Sequence, residues 1–81
     1  MEASYFLEMT MMTRFYVNYF VDGRCASYCC ENKRDASNFA RKVSKGGNTS
    51  QIYRCSGIID NGIFYETEST HVANYRDGKR Q

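Results

Sequence analysis

NKRDASNFARKVSKGG, from Asn32 to Gly47, has a clear helical period and is flanked on each side by a strand pair. Ala36, Phe39, Ala40 and Val43 recur at i, i+3, i+4 and i+7, which aligns them as an apolar stripe on a 3.6-residue period. The stripe is narrow and built largely of small residues. It predicts a helix lying close against a sheet, with Phe39 as its main wedge. Asn32 reads as the N-cap and Asp35 puts negative charge in the first turn. Lys45 then supplies a basic last turn and Gly46-Gly47 a left-handed stop. The opposite side carries Lys33, Arg34, Ser37, Asn38, Arg41, Lys42 and Lys45. Such a side is either a solvated face or a contact surface for phosphates or acidic protein.

Upstream, RFYVNYFV (Arg14 to Val21), Asp22-Gly23 and RCASYCCE (Arg24 to Glu31) read as a hairpin whose two-residue loop favours a type I′ turn. That loop sets Val21 against Arg24, Tyr19 against Ala26, Val17 against Tyr28 and Phe15 against Cys30, all on the face expected to meet the helix. Tyr16, Asn18, Phe20, Cys25, Ser27 and Cys29 fall on the other face. Downstream, TSQIYRCSGII and IFYETEST flank Asp60-Asn61-Gly62, a second hairpin signal. A three-residue loop here gathers Tyr53, Cys55, Ile59, Ile63 and Tyr65, and it sets Arg54 opposite Glu68 with Ser56 beside Glu66. It leaves Ile52, Ile58 and Phe64 on the face away from the helix. Gly57 has the character of a bulge. The tail THVANYRDGKRQ adds a short fifth strand through Tyr75 or ends there, and from Arg76 it is expected to fray.

The fold expected is therefore α+β in the order ββαββ: an antiparallel sheet of four or five strands with one helix packed on one face. With 81 residues the chain makes one domain, residues 14–81, preceded by an N-terminal extension of residues 1–13. A net charge of +2 is small for a nucleic-acid-binding domain and excludes a carboxylate-dense DNA mimic. Seven tyrosines and five phenylalanines with no proline suit strands and interfaces. The opening MEASYFLEMTMMT has neither a basic n-region nor a long apolar run, so no membrane span is expected there and a cytoplasmic location in a host cell is. Among the four cysteines, Cys29 and Cys30 point to opposite faces of a strand, and Cys25 lies about 13 Å from Cys29. Free thiols are expected rather than a disulfide framework or a metal site.

A catalytic site needs a nucleophile with a base, or paired carboxylates. His71 is the one histidine and stands on a late strand, and Gly46-Gly47 follows a helix instead of cradling a phosphate before one. The reading is of a non-catalytic protein without cofactor or metal. Two surfaces remain as candidates. One is the basic helix face of Lys33, Arg34, Arg41, Lys42 and Lys45. The other is the sheet face of Tyr16, Phe20, Ile58 and Phe64, covered either by Tyr5, Phe6 and Leu7 of the extension or by a partner or a second copy. Aromatics on an open sheet also stack on bases, which keeps a nucleic-acid-binding module as the alternative.

The helix opens N-K-R-D-A at Asn32 to Ala36 and runs into F-A-R-K-V at Phe39 to Val43, and the chain ends D-G-K-R at Asp77 to Arg80. With the strand pairs on either side, this plan over residues 14–80 resembles the small phage-encoded anti-CRISPR proteins, in particular inhibitors of type I surveillance complexes with one helix on an antiparallel sheet. The resemblance implies a protein that blocks a host nucleoprotein complex by occupying a surface, without catalysis.

Overall fold

The computed structural model describes residues 10–81. Its reversals are set by three dipeptides: Asp22, Asn61 and Asp77 have φ of 52°, 53° and 52°, each followed by a glycine at 76°, 77° and 79°. Positive φ at both central residues is the type I′ turn, whose twist matches that of paired strands. Glycine takes the second position without penalty, and Asn or Asp tolerates the first. These turns separate β1 (Thr10–Val21) from β2 (Arg24–Cys30), β3 (Thr49–Asp60) from β4 (Ile63–Arg76), and β4 from β5 (Lys79–Arg80); α1 (Lys33–Val43) lies between β2 and β3. Among the described residues the five strands form one antiparallel sheet in the order β2-β1-β3-β4-β5. The protein is an α+β fold with its single described helix on one face. Because β1 begins at Thr10, residues Thr10 to Thr13 of the expected extension lie in the sheet. Residues 1–9, with the proposed cover of Tyr5, Phe6 and Leu7, lie outside the described residues.

The first hairpin has the register its loop dictates, from Val21 against Arg24 to Phe15 against Cys30. Val17 and Ile52 are fully buried, and Ala36 and Ala40 of the helix close over them. Two alanines let the helix lie close, so the core is thin. Phe39 is placed to one side, stacked on Tyr28 at 4.3 Å and edge-on to Tyr19 at 5.2 Å. The buried Ser50 hydroxyl donates to the Ala40 carbonyl at 2.8 Å, tying the helix to β3 with one polar contact. At the helix start the Asn32 side chain accepts the Asp35 N–H at 2.8 Å, and beyond its end Gly46 and Gly47 have φ of 76° and 84°.

The second hairpin corrects the sequence reading. Asp60 pairs with Ile63, so the loop is the two-residue Asn61-Gly62 turn and not a three-residue one. The mismatch that the longer loop was meant to absorb is taken up instead by register shifts at Ser56/Gly57 and Ile52/Tyr53. The first shift leaves Thr67 unpaired between Glu66 and Glu68, and its hydroxyl donates to the Ser56 carbonyl at 3.1 Å. The second leaves Val72 unpaired, and Val72 packs against the core. Arg54 consequently faces Thr70, while Glu68 faces Ser56 and Glu66 faces Gly57. Since cross-strand partners share a face, Ile52 turns inward with Val17, and Tyr53 turns outward with Tyr16. Ile58 is opposite Met11 and Tyr65, on the helix side of the sheet, so its expected place beside Tyr16, Phe20 and Phe64 is also corrected.

The tail does not fray at Arg76. The Asp77-Gly78 turn folds it back as β5, and the turn is fastened to the end of the helix. The Gly78 N–H donates to the Ser44 hydroxyl at 3.0 Å, the Gly47 N–H to the Asp77 carboxylate at 3.2 Å, and the Gln81 N–H to the Asn74 carbonyl at 2.9 Å. Ser44 is fully buried. Ser44→Ala removes the acceptor and leaves a donor unpaired, a loss of about 1–3 kcal/mol. The expected result is faster hydrogen exchange at the Gly78 and Gln81 amides with unchanged far-UV circular dichroism; protection equal to wild type would show that the turn holds without Ser44.

The sheet outruns the helix. An 11-residue helix is about 16 Å long, whereas the molecule extends 55 Å along its longest axis. Residues 11–14 of β1 and residues 56–66 of β3 and β4 contribute nothing to the core cluster under the helix. Met11, Ile63 and Tyr65 on this projecting part are 65%, 55% and 50% exposed.

Candidate binding surfaces

Arg34 and Arg41, seven residues apart, share one flank of α1, Lys45 follows just beyond its end, and all three are exposed. The Arg41 end of that flank faces the C-terminal hairpin. The Arg41 guanidinium lies 5.8 Å from the centroid of the buried Tyr75 ring and donates to the Asn38 side chain at 3.3 Å. Tyr75 pairs with Arg80, which brings Arg80 to the helix side of the sheet, and Arg76 pairs with Lys79 on the opposite side. The Lys45 stem reaches the same turn: a Cβ on Gly78 would sit 3.2 Å from Lys45 Cγ. Asp77, the carboxylate within this corner, is occupied by the Gly47 N–H. At the end of the helix Arg41, Lys45 and Arg80 thus come together from two separate stretches of sequence, while Arg76 and Lys79 lie on the far side of the sheet. The carbonyl end of the helix adds partial negative charge that holds Arg41 favourably.

The other two helix cations are also exposed but stand apart. Lys33 opens the helix, and Lys42 lines a cavity of about 450 Å³ between β2 and α1 together with Glu31 and Asp35. Its charge is offset there by two carboxylates.

On the face away from the helix, Tyr16 is opposite Tyr53, and Tyr53 meets the His71 ring edge-on at 5.3 Å. His71 Nε2 is 2.7 Å from the Asn74 side-chain oxygen. Phe20 is 50% exposed at the far end of β1, with Asn18 between it and Tyr16. Phe64 covers Gly57, where a Cβ would come within 2.9 Å of its ring, and the Arg14 guanidinium sits 4.8 Å from the ring centroid. The face is therefore a row of separated aromatics with polar side chains between them, rather than one apolar patch. Sequence reasoning missed Tyr53, Arg76 and Lys79 as members of this face, and it missed Arg80 as part of the basic corner. The Asp77-Gly78 dipeptide carried the signal, being the same dipeptide that sets the first hairpin.

The four cysteines are free, with Cys25 and Cys29 exposed and Cys30 and Cys55 buried. Burial pushes the Cys30 and Cys55 thiols up from the usual range, and burial also raises the Tyr16 hydroxyl, with Cys29 beside it adding to the effect. Only the thiolate reacts with disulfide reagents. In the folded protein at neutral pH, Cys25 and Cys29 are expected to be modified first, and Cys30 and Cys55 only as the chain unfolds; mass mapping of the labelled sites against time checks the order. No helix among the described residues is long and apolar enough to cross a membrane. No protein-family model, curated protein or solved structure matches the chain.

Proposed function

We propose that the protein is a non-catalytic binding protein that docks on an anionic surface of a host nucleoprotein complex inside the cell, the type of role the anti-CRISPR resemblance implies. The observation that carries this reading is the basic corner of Arg41, Lys45 and Arg80, assembled from the end of the helix and a hairpin, with Arg34 further along the same helix flank. A solvated face needs no such convergence, and the C-terminal turn is fastened to the helix C-cap through Ser44 and to the loop just beyond it through Gly47, which holds the corner in shape. A pull-down from bacterial lysate containing CRISPR complexes tests the reading, with capture of a nucleoprotein expected from the wild-type chain.

One observation favours a second reading, binding of free nucleic acid. Arg76 and Lys79 lie on the sheet face that carries Tyr16, Tyr53 and His71, so cations and stacking rings share that face. Titration with single-stranded and duplex oligonucleotides at several salt concentrations separates the two readings. Phosphate contacts release counterions and make affinity fall steeply with salt. Tight, salt-steep binding by the protein alone supports the second reading, and its absence alongside capture of the complex supports the first.

A further inference from the structure

Among the described residues the sheet ends at β2 on one side, and along most of the other side it ends at β4. The two edges are built differently. From Ile63 to Asn74, β4 is interrupted by the bulges at Thr67 and Val72 and carries Glu66 and Glu68, features that keep further strands from adding. Strand β2 has neither. Its seven residues pair with β1 in unbroken register, contain no proline and include a single charge, Arg24. In a two-residue hairpin the residues flanking the turn exchange the first ladder bonds. Arg24, Ala26, Tyr28 and Cys30 therefore address β1, while Cys25, Ser27 and Cys29 hold their N–H and C=O groups out to the open edge.

We propose that this edge takes a second copy of the chain, the two β2 strands pairing antiparallel about a twofold axis at Ser27 so that the sheets join into one. The choice of a second copy rests on the self-complementarity of β2. Laid antiparallel about Ser27, each strand sets Ala26 opposite Tyr28, Cys25 opposite Cys29 and Arg24 opposite Cys30. Tyr28, half of whose surface is exposed, then covers a methyl group where a larger side chain would collide. Arg24, the one charged residue of β2, meets Cys30 of the other copy at each end, so like charges are not opposed. The helix packs chiefly on β1 and β3, which keeps its bulk back from the edge. Such an interface is isologous and closes on itself.

The pairing makes a chemical signature. Cys25 and Cys29, both exposed, would face each other twice across the axis as hydrogen-bonded partners with Cα atoms about 5.5 Å apart. That separation is inside the span of a disulfide, about 4.4–6.8 Å. A diazene oxidant takes one hydrogen from each thiol and leaves as the hydrazine while a single S–S bond forms.

Sedimentation equilibrium of the full chain in reductant, from micromolar to millimolar protein, is expected to show a shift from 9.4 kDa towards twice that mass. Ser27→Pro removes an edge N–H and no bond to β1, and it is expected to return the protein to monomer with its circular dichroism unchanged. After diazene treatment the wild type is expected to yield a covalent dimer linked Cys25 to Cys29, whereas Cys25→Ser and Cys29→Ser each yield none. Mixing those two silent variants restores the link, because a heterodimer keeps one Cys25–Cys29 pair. This arm holds even if Ser27→Pro does not fold. A monomer at every concentration overturns the proposal, as does a dimer that persists in folded Ser27→Pro. A covalent dimer from either cysteine variant alone, or a non-covalent dimer with no Cys25–Cys29 link, overturns the twofold axis at Ser27.

Discussion

Arg41→Glu combined with Arg80→Glu is expected to lower affinity for the captured nucleoprotein by about a hundredfold or more, because a central interface arginine is worth about 2 kcal/mol or more and reversal adds repulsion to its loss. Both side chains are exposed and flank the Tyr75 ring, so the fold is expected to survive. The matched control is Lys42→Glu with Arg54→Glu, which makes the same change in net charge at exposed positions outside the corner. Equal loss in both doubles would mean that net charge alone matters. Phe64→Ala belongs in the same assay, since Phe64 is the member of the sheet face held by the Arg14 guanidinium. Unchanged binding in the corner double and a large loss in Phe64→Ala would move the contact to the sheet.

Ile52→Ala is expected to cost about 2–5 kcal/mol of stability, because the site is walled by backbone on two strands and has little freedom to collapse. Ile52 is fully buried between Val17 on β1 and Ala73 on β4, beneath the helix alanines. Val17 and Ile52 are the largest side chains buried to that degree, so few others can compensate. Set against a total stability of about 5–15 kcal/mol for a small domain, the change is expected to lower Tm by about 10 to 30 °C. Thermal denaturation followed at 222 nm measures it. A fall of only a few degrees would show that the helix is anchored mainly elsewhere, at Phe39 and Ser50.

The helix and the first hairpin were legible because each obeys a local rule. The Asn32 cap, the alanine stripe and the Asp22-Gly23 turn act over a few residues, and no distant contact overrides them. The second hairpin was misread because β-bulges change which side chains share a face while leaving local composition unchanged. Gly57 could be recognised as a bulge site, yet Thr67 and Val72 resemble ordinary strand residues until the ladder is seen. Ile52 was sent outward for that reason, and Ile58 with it. The C-terminal turn was legible in principle, but the run of charges after it looks like a solvated tail. The place of Arg80 beside Arg41 depends on that turn, which is held by a contact between Ser44 and Gly78 that no local rule encodes.

The strand order β2-β1-β3-β4-β5 also has a kinetic meaning. Each of the three type I′ hairpins joins neighbours in sequence, and hairpins of that kind close in about 1–10 μs. The β1–β3 seam is different: partners such as Thr10 and Ile59 are brought together across the whole of β2 and the helix. Closing that loop consumes chain entropy before any seam contact repays it, so the seam and not the turns sets the folding rate. Substitutions at Val17 should slow folding, and substitutions at the Asn61-Gly62 tip should chiefly quicken unfolding.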